Sequence, residues 1–180
     1  MNRRGIGVLA LACAIAPNWL AAEVVDSSAA GFTVKETVNI QAAPQDVYAK
    51  IFRVGDWWSP AHTYSHDAHN LSMEEKVGGC FCEKFPAGGG VKFMEVVDLT
   101  PGKAIVLHGA LGPLHSIAAT GAMQIQLTAA DGGTKVEVTY AVAGYKAAGL
   151  NTWAAPVDGV LKEQFTRLKS YVEHGDPAAK

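Results

Sequence analysis

The chain has 180 residues, with 15 Lys and Arg against 17 Asp and Glu, a formal charge of −2. Past its first few residues it carries no basic run, which argues against nucleic acid or an anionic membrane surface as a partner. Three cysteines are too few for a disulfide-built scaffold, so a hydrophobic core must hold the fold.

Met1-Asn2-Arg3-Arg4 is a short basic start, Ile6 to Ala16 is apolar, and Leu20-Ala21-Ala22 places small residues before Glu23. These are the parts of a secretory signal peptide over residues 1–22. The apolar run is about half of what a membrane-spanning helix needs, so export without a stable membrane anchor is expected. Removal of the segment takes away Cys13, Arg3 and Arg4 and leaves 13 basic against 17 acidic residues, a charge of −4.

Residues 23–34 are small and polar and read as a flexible leader; residues 35–174 read as one domain, and 175–180 as a tail. Lys35 to Ile40 alternates like a strand. Pro44 and Asp46 suit the first turn of a helix whose apolar stripe is Val47, Tyr48, Ile51 and Phe52, with Gly55 as its stop. An aromatic turn, Asp56-Trp57-Trp58-Ser59-Pro60, leads into a histidine-rich polar stretch ending at Asn70.

From Leu71 the pattern has period two. It predicts strands over 71–77, 80–85, 91–99, 103–110, 121–128 and 134–142, separated by Gly- and Pro-rich turns. Met123, Ile125 and Leu127 share one face, as do Val136, Val138, Tyr140 and Val142, while Lys135, Glu137 and Thr139 face the other way. A long helix over 152–174, capped by Asn151 or Thr152, follows. Its stripe is Val157, Val160, Leu161, Phe165, Leu168, Tyr171 and Val172, with Glu163 and Arg167 placed to pair on the wet face. The fold class is α+β. A curved antiparallel sheet of six to seven strands must curl around the C-terminal helix to bury both stripes, leaving space between cup and cylinder.

Several segments carry a family resemblance: Ala43-Pro44-Gln45-Asp46-Val47-Tyr48, Trp57-Trp58, Gly78-Gly79 with Glu83, Pro101-Gly102-Lys103, and the helix from Pro156 to Val172. Together they resemble the SRPBCC superfamily of START-like, helix-grip, polyketide-cyclase-like proteins. Within it they resemble the branch of homologues of the activator of the heat-shock-90 chaperone ATPase. The resemblance implies a cavity between helix and sheet that takes small apolar or aromatic molecules. Activation of a cytosolic chaperone does not suit an exported protein. Neither Gly88-Gly89-Gly90-Val91-Lys92 nor Pro101-Gly102-Lys103-Ala104 has the spacing of a phosphate-binding loop, so neither ATP nor another cofactor is expected.

The expected ligand-binding residues are Trp57, Trp58, Phe81, Glu83, Phe93, His108, Tyr140, Trp153 and Gly159. The tryptophans offer a wall with an N–H handle. Gly159 costs about 1 kcal/mol relative to Ala inside a helix, and is expected where something approaches that helix closely. An enzyme of cyclase or hydrolase type is the alternative, with His108, Glu83 or Tyr140 as cavity acid or base, and no catalytic residue is assigned. A metal site on His62, His66 and His69 is the second alternative, with a solvated loop as the ordinary reading of that stretch. Cys80 and Cys82 alternate on one strand face, about 6.5–7 Å apart, at the upper edge of what a disulfide spans; two small buried thiols are the ordinary reading and a bond between them the alternative.

Overall fold

The computed structural model describes residues 23–179, so the segment read as a signal peptide lies outside the described residues. Eight strands make one antiparallel sheet: β1 (Glu23–Ser28), β2 (Gly31–Ile40), β3 (Leu71–Met73), β4 (Cys80–Lys84), β5 (Gly90–Thr100), β6 (Ala104–Gly109), β7 (Ala118–Ala130) and β8 (Gly133–Tyr145). Their spatial order is β1-β2-β8-β7-β6-β5-β4-β3, a meander from β3 to β8 closed by the N-terminal hairpin against β8. Helices α1 (Pro44–Ile51), α2 (Val54–Trp57) and α3 (Ala154–His174) complete the fold.

Alternation decides which side of the sheet is buried. Val34, Val38 and Ile40 on β2, Val136, Val138 and Val142 on β8, and Ile105 and Leu107 on β6 are all buried. Leu161, Phe165 and Leu168 of α3 enter the same core. Each such side chain, fully buried, contributes about 1.5–3 kcal/mol. Lys135, Glu137 and Thr139 lie on the wetter face as their parity requires, and Glu137 bridges Lys35 and Lys135 at 3.0 and 2.8 Å. Gly175, at φ +76°, ends α3 in the left-handed conformation that glycine adopts without steric cost.

The sheet has one strand more than the upper expected count. The 23–34 segment is not a loose leader: β1 pairs with β2 from Glu23↔Lys35 to Ser28↔Gly31. Its residues are all exposed, so no apolar periodicity announced it. The strand expected over 71–77 stops at Met73 because Lys76 and Gly79 enter turns, with Gly78 and Gly79 bonding to Val96. Gly55 does not stop the first helix, which ends at Ile51. It sits inside α2, where a Cβ would lie 3.1 Å from the carbonyl oxygens of Ala68 and Leu71.

A register shift between Phe81 and Cys82 leaves Phe93 as an extra residue on β5, so Phe93 and Met94 are both buried in succession. At this irregularity the Cα atoms of Cys80 and Cys82 come to 5.4 Å, and the sulfurs are joined in a disulfide. Of the two readings of this pair, the structure shows the bonded one, with the Cα atoms closer than the about 6.5–7 Å of a regular strand.

Candidate functional site

The segment from Asp56 to Ser65 crosses the open side of the cup, and each end of it is fixed. Its indoles bury their rings and still satisfy their N–H groups: Trp57 Nε1 donates to the Lys50 carbonyl (3.0 Å) and Trp58 Nε1 to the His62 carbonyl (3.2 Å). Trp57 lies 6.0 Å from Phe165, Trp58 lies 5.6 Å from Phe81, and Phe81 lies 5.7 Å from Phe93, centroid to centroid. Trp57, Phe81 and Phe93 therefore fill the core rather than face an open space.

One face of α3 holds this segment through successive turns. Tyr171 Oη donates to Asp56 (2.8 Å), and Arg167 Nε donates to the Trp57 carbonyl (2.9 Å). Gln164 Oε1 accepts the Ser59 N–H (2.7 Å), and Glu163 pairs with His62 Nε2 (2.9 Å). Glu163 and Arg167 thus find partners on the crossing segment instead of the bond expected between them. Burial pushes the Asp56 carboxyl up, but hydrogen bonds from Tyr171 and Arg53 outweigh it and hold the group below its usual range. At the far end Glu83 Oε2 and Oε1 accept the N–H groups of Tyr64 (3.0 Å) and Ser65 (2.6 Å). Buried polar groups of this kind are costly unless paired, and Glu83, 1% exposed, is paired on both oxygens.

Between this segment, the start of α3 and the loop after β6 lies a cavity of about 300 Å³. Trp58 forms one wall and His62, Thr63 and Tyr64 its outer side. Leu111 and Leu114 face them from the loop, and Trp153, Pro156, Val157, Val160 and Leu161 of the helix end close the third side. The space is bounded almost wholly by apolar groups. Deeper in the cup, among Trp57, Phe81, Leu107, Ile125 and Phe165, only about 20 Å³ remains. The cavity thus sits at the N-terminal end of the helix, not along the concave face of the sheet where it was expected.

Of the residues expected to bind, Trp58 and Trp153 line this cavity. His108 does not: Ile105 and Leu107 take the inward parity of β6 and leave His108 exposed. Tyr140 is buried, but its hydroxyl accepts the Leu111 N–H (3.2 Å) and so braces the loop that carries Leu111 and Leu114. Burial pushes its pKa up to about 12, against the Leu111 bond that lowers it, so the hydroxyl stays protonated near neutrality and is no base there. Glu83 is a fastening for the crossing segment rather than a cavity acid or base. Gly159 is exposed, and a Cβ there meets nothing within 4 Å, so it reports no close approach. Among the described residues no group of three His, Cys, Asp or Glu side chains is placed to hold a metal ion. His62 goes to Glu163 instead of joining His66 and His69.

The sequence reading missed the rim loop and the His62–Glu163 pair. Leu111, Pro113 and Leu114 look like a strand end, and only their spacing of three hints at the 3-10 turn, Gly112–Ser116, that turns them inward. The pairing of His62 with Glu163 spans 101 residues, beyond any local pattern.

No protein-family model matches the chain, and no curated protein matches its sequence. Solved structures share its fold. The Aha1 dimer of Colwellia psychrerythraea superposes with a TM-score of 0.57 at 20% identity, over 79% of this chain and 97% of that one. CalU16 of Micromonospora echinospora gives 0.58 at 11% identity over 88% and 87%. DynU16, a protein of the dynemicin biosynthetic locus, gives 0.58 at 19% identity over 82% and 49%. At these identities the likeness concerns fold alone. The chain shares with them an α+β fold of a curved antiparallel sheet and a long C-terminal helix, the architecture that the sequence resemblance implied.

Proposed function

We propose that this is an exported binding protein that holds a small apolar or aromatic molecule in the cavity at the N-terminal end of α3. The observation that carries the reading is the apolar 300 Å³ space walled by Trp58, Leu111, Leu114, Val157 and Val160, against about 20 Å³ left beside Phe165. A dry apolar cavity of about 150 Å³ accepts benzene, so twice that volume suits a fused two-ring molecule. The volume lies at the lower end of those that hold small ligands. Export rests on the basic, apolar and small-residue order of residues 1–22. In the described residues no helix is long and apolar enough to cross a membrane.

Filling the cavity tests the reading. Val160→Phe adds a ring where space exists, so the fold survives while affinity for a bicyclic hydrocarbon falls by about tenfold or more, about 1.4 kcal/mol. Titration followed by the fluorescence of Trp58 and Trp153 measures it. Unchanged affinity in a folded Val160→Phe protein would remove this cavity as the binding site. N-terminal sequencing of secreted material checks the start near Glu23, and a chain retaining Met1 would refute export by cleavage.

A further inference from the structure

We infer that the His62–Glu163 pair is the specificity element of this cavity, accepting a proton-donating hydroxyl, a phenol or enol, from an otherwise apolar ring; this rests on the binding reading above. Three side chains in the lining carry polar atoms at the outer wall: His62, Thr63 and Tyr64. The Thr63 hydroxyl is spent on the Pro60 carbonyl at 2.9 Å. The Tyr64 hydroxyl faces His115 Nδ1 at 3.5 Å. His62 differs in having one ring nitrogen engaged and one left over.

Its Nε2 lies 2.9 Å from Glu163 Oε2. An ionised carboxylate only accepts, so Nε2 carries the hydrogen, and in the neutral ring Nδ1 holds the lone pair. Burial raises the Glu163 pKa, but hydrogen bonds from Ser59 and His62 more than offset it and hold the carboxyl below its usual range, hence ionised. A carboxylate behind an imidazole fixes its tautomer and stabilises positive charge on the ring, which makes Nδ1 a stronger acceptor. No protein group bonds Nδ1 among the described residues. A ligand hydroxyl brought among Trp58, Leu114 and Val160 loses its water and needs such a partner, whereas a bare hydrocarbon does not.

Naphthalene and 2-naphthol, equal in ring size and differing by one hydroxyl, are the probes. Both should bind the wild-type protein. His62→Leu should weaken 2-naphthol by about tenfold while naphthalene changes by less than about twofold. Glu163→Gln, which keeps an acceptor but removes the charge, should give a smaller loss confined to 2-naphthol. Because 2-naphthol is a stronger acid when excited, its emission should come from the naphtholate on wild type and from the neutral form on His62→Leu. If both probes weaken equally in the variants, or naphthol emission is unchanged, the specificity role falls and the cavity reading stands. If neither probe binds wild type, both are overturned.

Discussion

The two ends of α3 use the same face of one helix in opposite ways. Toward the C-terminus, Phe165, Leu168 and Tyr171 fill the cup so well that about 20 Å³ is left beside Phe165. Toward the N-terminus, Trp153, Pro156, Val157 and Val160 stand around about 300 Å³. The side chains differ along the helix: Phe, Leu and Tyr at the filled end, Pro and Val beside Trp153 at the open end. A helix-grip fold can thus set its cavity volume by a few positions on one helix while leaving its core intact.

The largest expected effect lies at the filled end. Phe165→Ala should cost about 3–5 kcal/mol, whereas Val160→Ala at the open end should cost less than about 1 kcal/mol because its surroundings are already unfilled. Denaturant unfolding of both variants measures the contrast. Equal losses would erase the distinction between the two ends.

Next comes the flank of the helix between them. Glu36 of β2 is 1% exposed and faces Asp158 and Lys162 of α3, and neither Glu36 Oε1 nor Asp158 Oδ1 has a hydrogen-bond partner. Burial first, then the Asp158 charge, raises the Glu36 pKa from 4.5 to about 7, with Lys162 opposing. The folded state therefore keeps a proton that the unfolded chain has released. Stability from this group is present below pH 4.5 and is lost as pH rises to about 7. The loss is on the order of 3 kcal/mol. Glu36→Gln should flatten that part of the profile in melting experiments from pH 4 to 8, and an unaltered slope would refute the assignment.

A smaller effect is expected where the crossing segment is fastened. Glu83→Gln turns one acceptor oxygen into a donor facing an N–H group and should cost about 1–3 kcal/mol. Hydrogen exchange at the Tyr64 and Ser65 amides should accelerate, and protection equal to wild type would show that the clamp is not formed. The smallest effect is the sign at Gly159. With nothing within 4 Å of its Cβ, Gly159→Ala should stabilise α3 by up to about 1 kcal/mol without changing probe affinity. A fall in affinity would return Gly159 to the cavity.

The sheet was legible wherever one face is buried and the other wet, as on β7 and β8, because period two is a direct imprint of that difference. His108 was misread as a cavity residue, although Ile105 and Leu107 before it take the inward parity of β6 and leave it outward. β1 was not legible: a fully exposed edge strand has no apolar period to show. Nor was the partnering of Glu83, Glu163 and Gln164, whose bonds to the 59–65 segment depend on where that segment crosses the helix. Gly159 misled because its propensity cost was read as evidence of crowding, when an exposed helix position tolerates it. Trp58 and Trp153 were found because large rings near a presumed opening are few in this chain, but the same reasoning could not separate them from Trp57, which is buried a single residue away.

The placement of β2 also governs how the molecule comes together. β3 to β8 pair with neighbours in sequence, so their ladders close short loops. β2 pairs with β8 over ten positions, from Gly31↔Ala143 to Ile40↔Thr134. That ladder joins residues roughly a hundred apart along the chain, and such non-local pairing pays its loop-closure entropy before any contact repays it. The N-terminal hairpin has no strand to join until β8 has been made. A chain truncated before Gly133 would retain most of the meander, yet Val34, Val38 and Ile40 would have no β8 residues to pack beside. The making of β8, not of β2, sets when this cup can close.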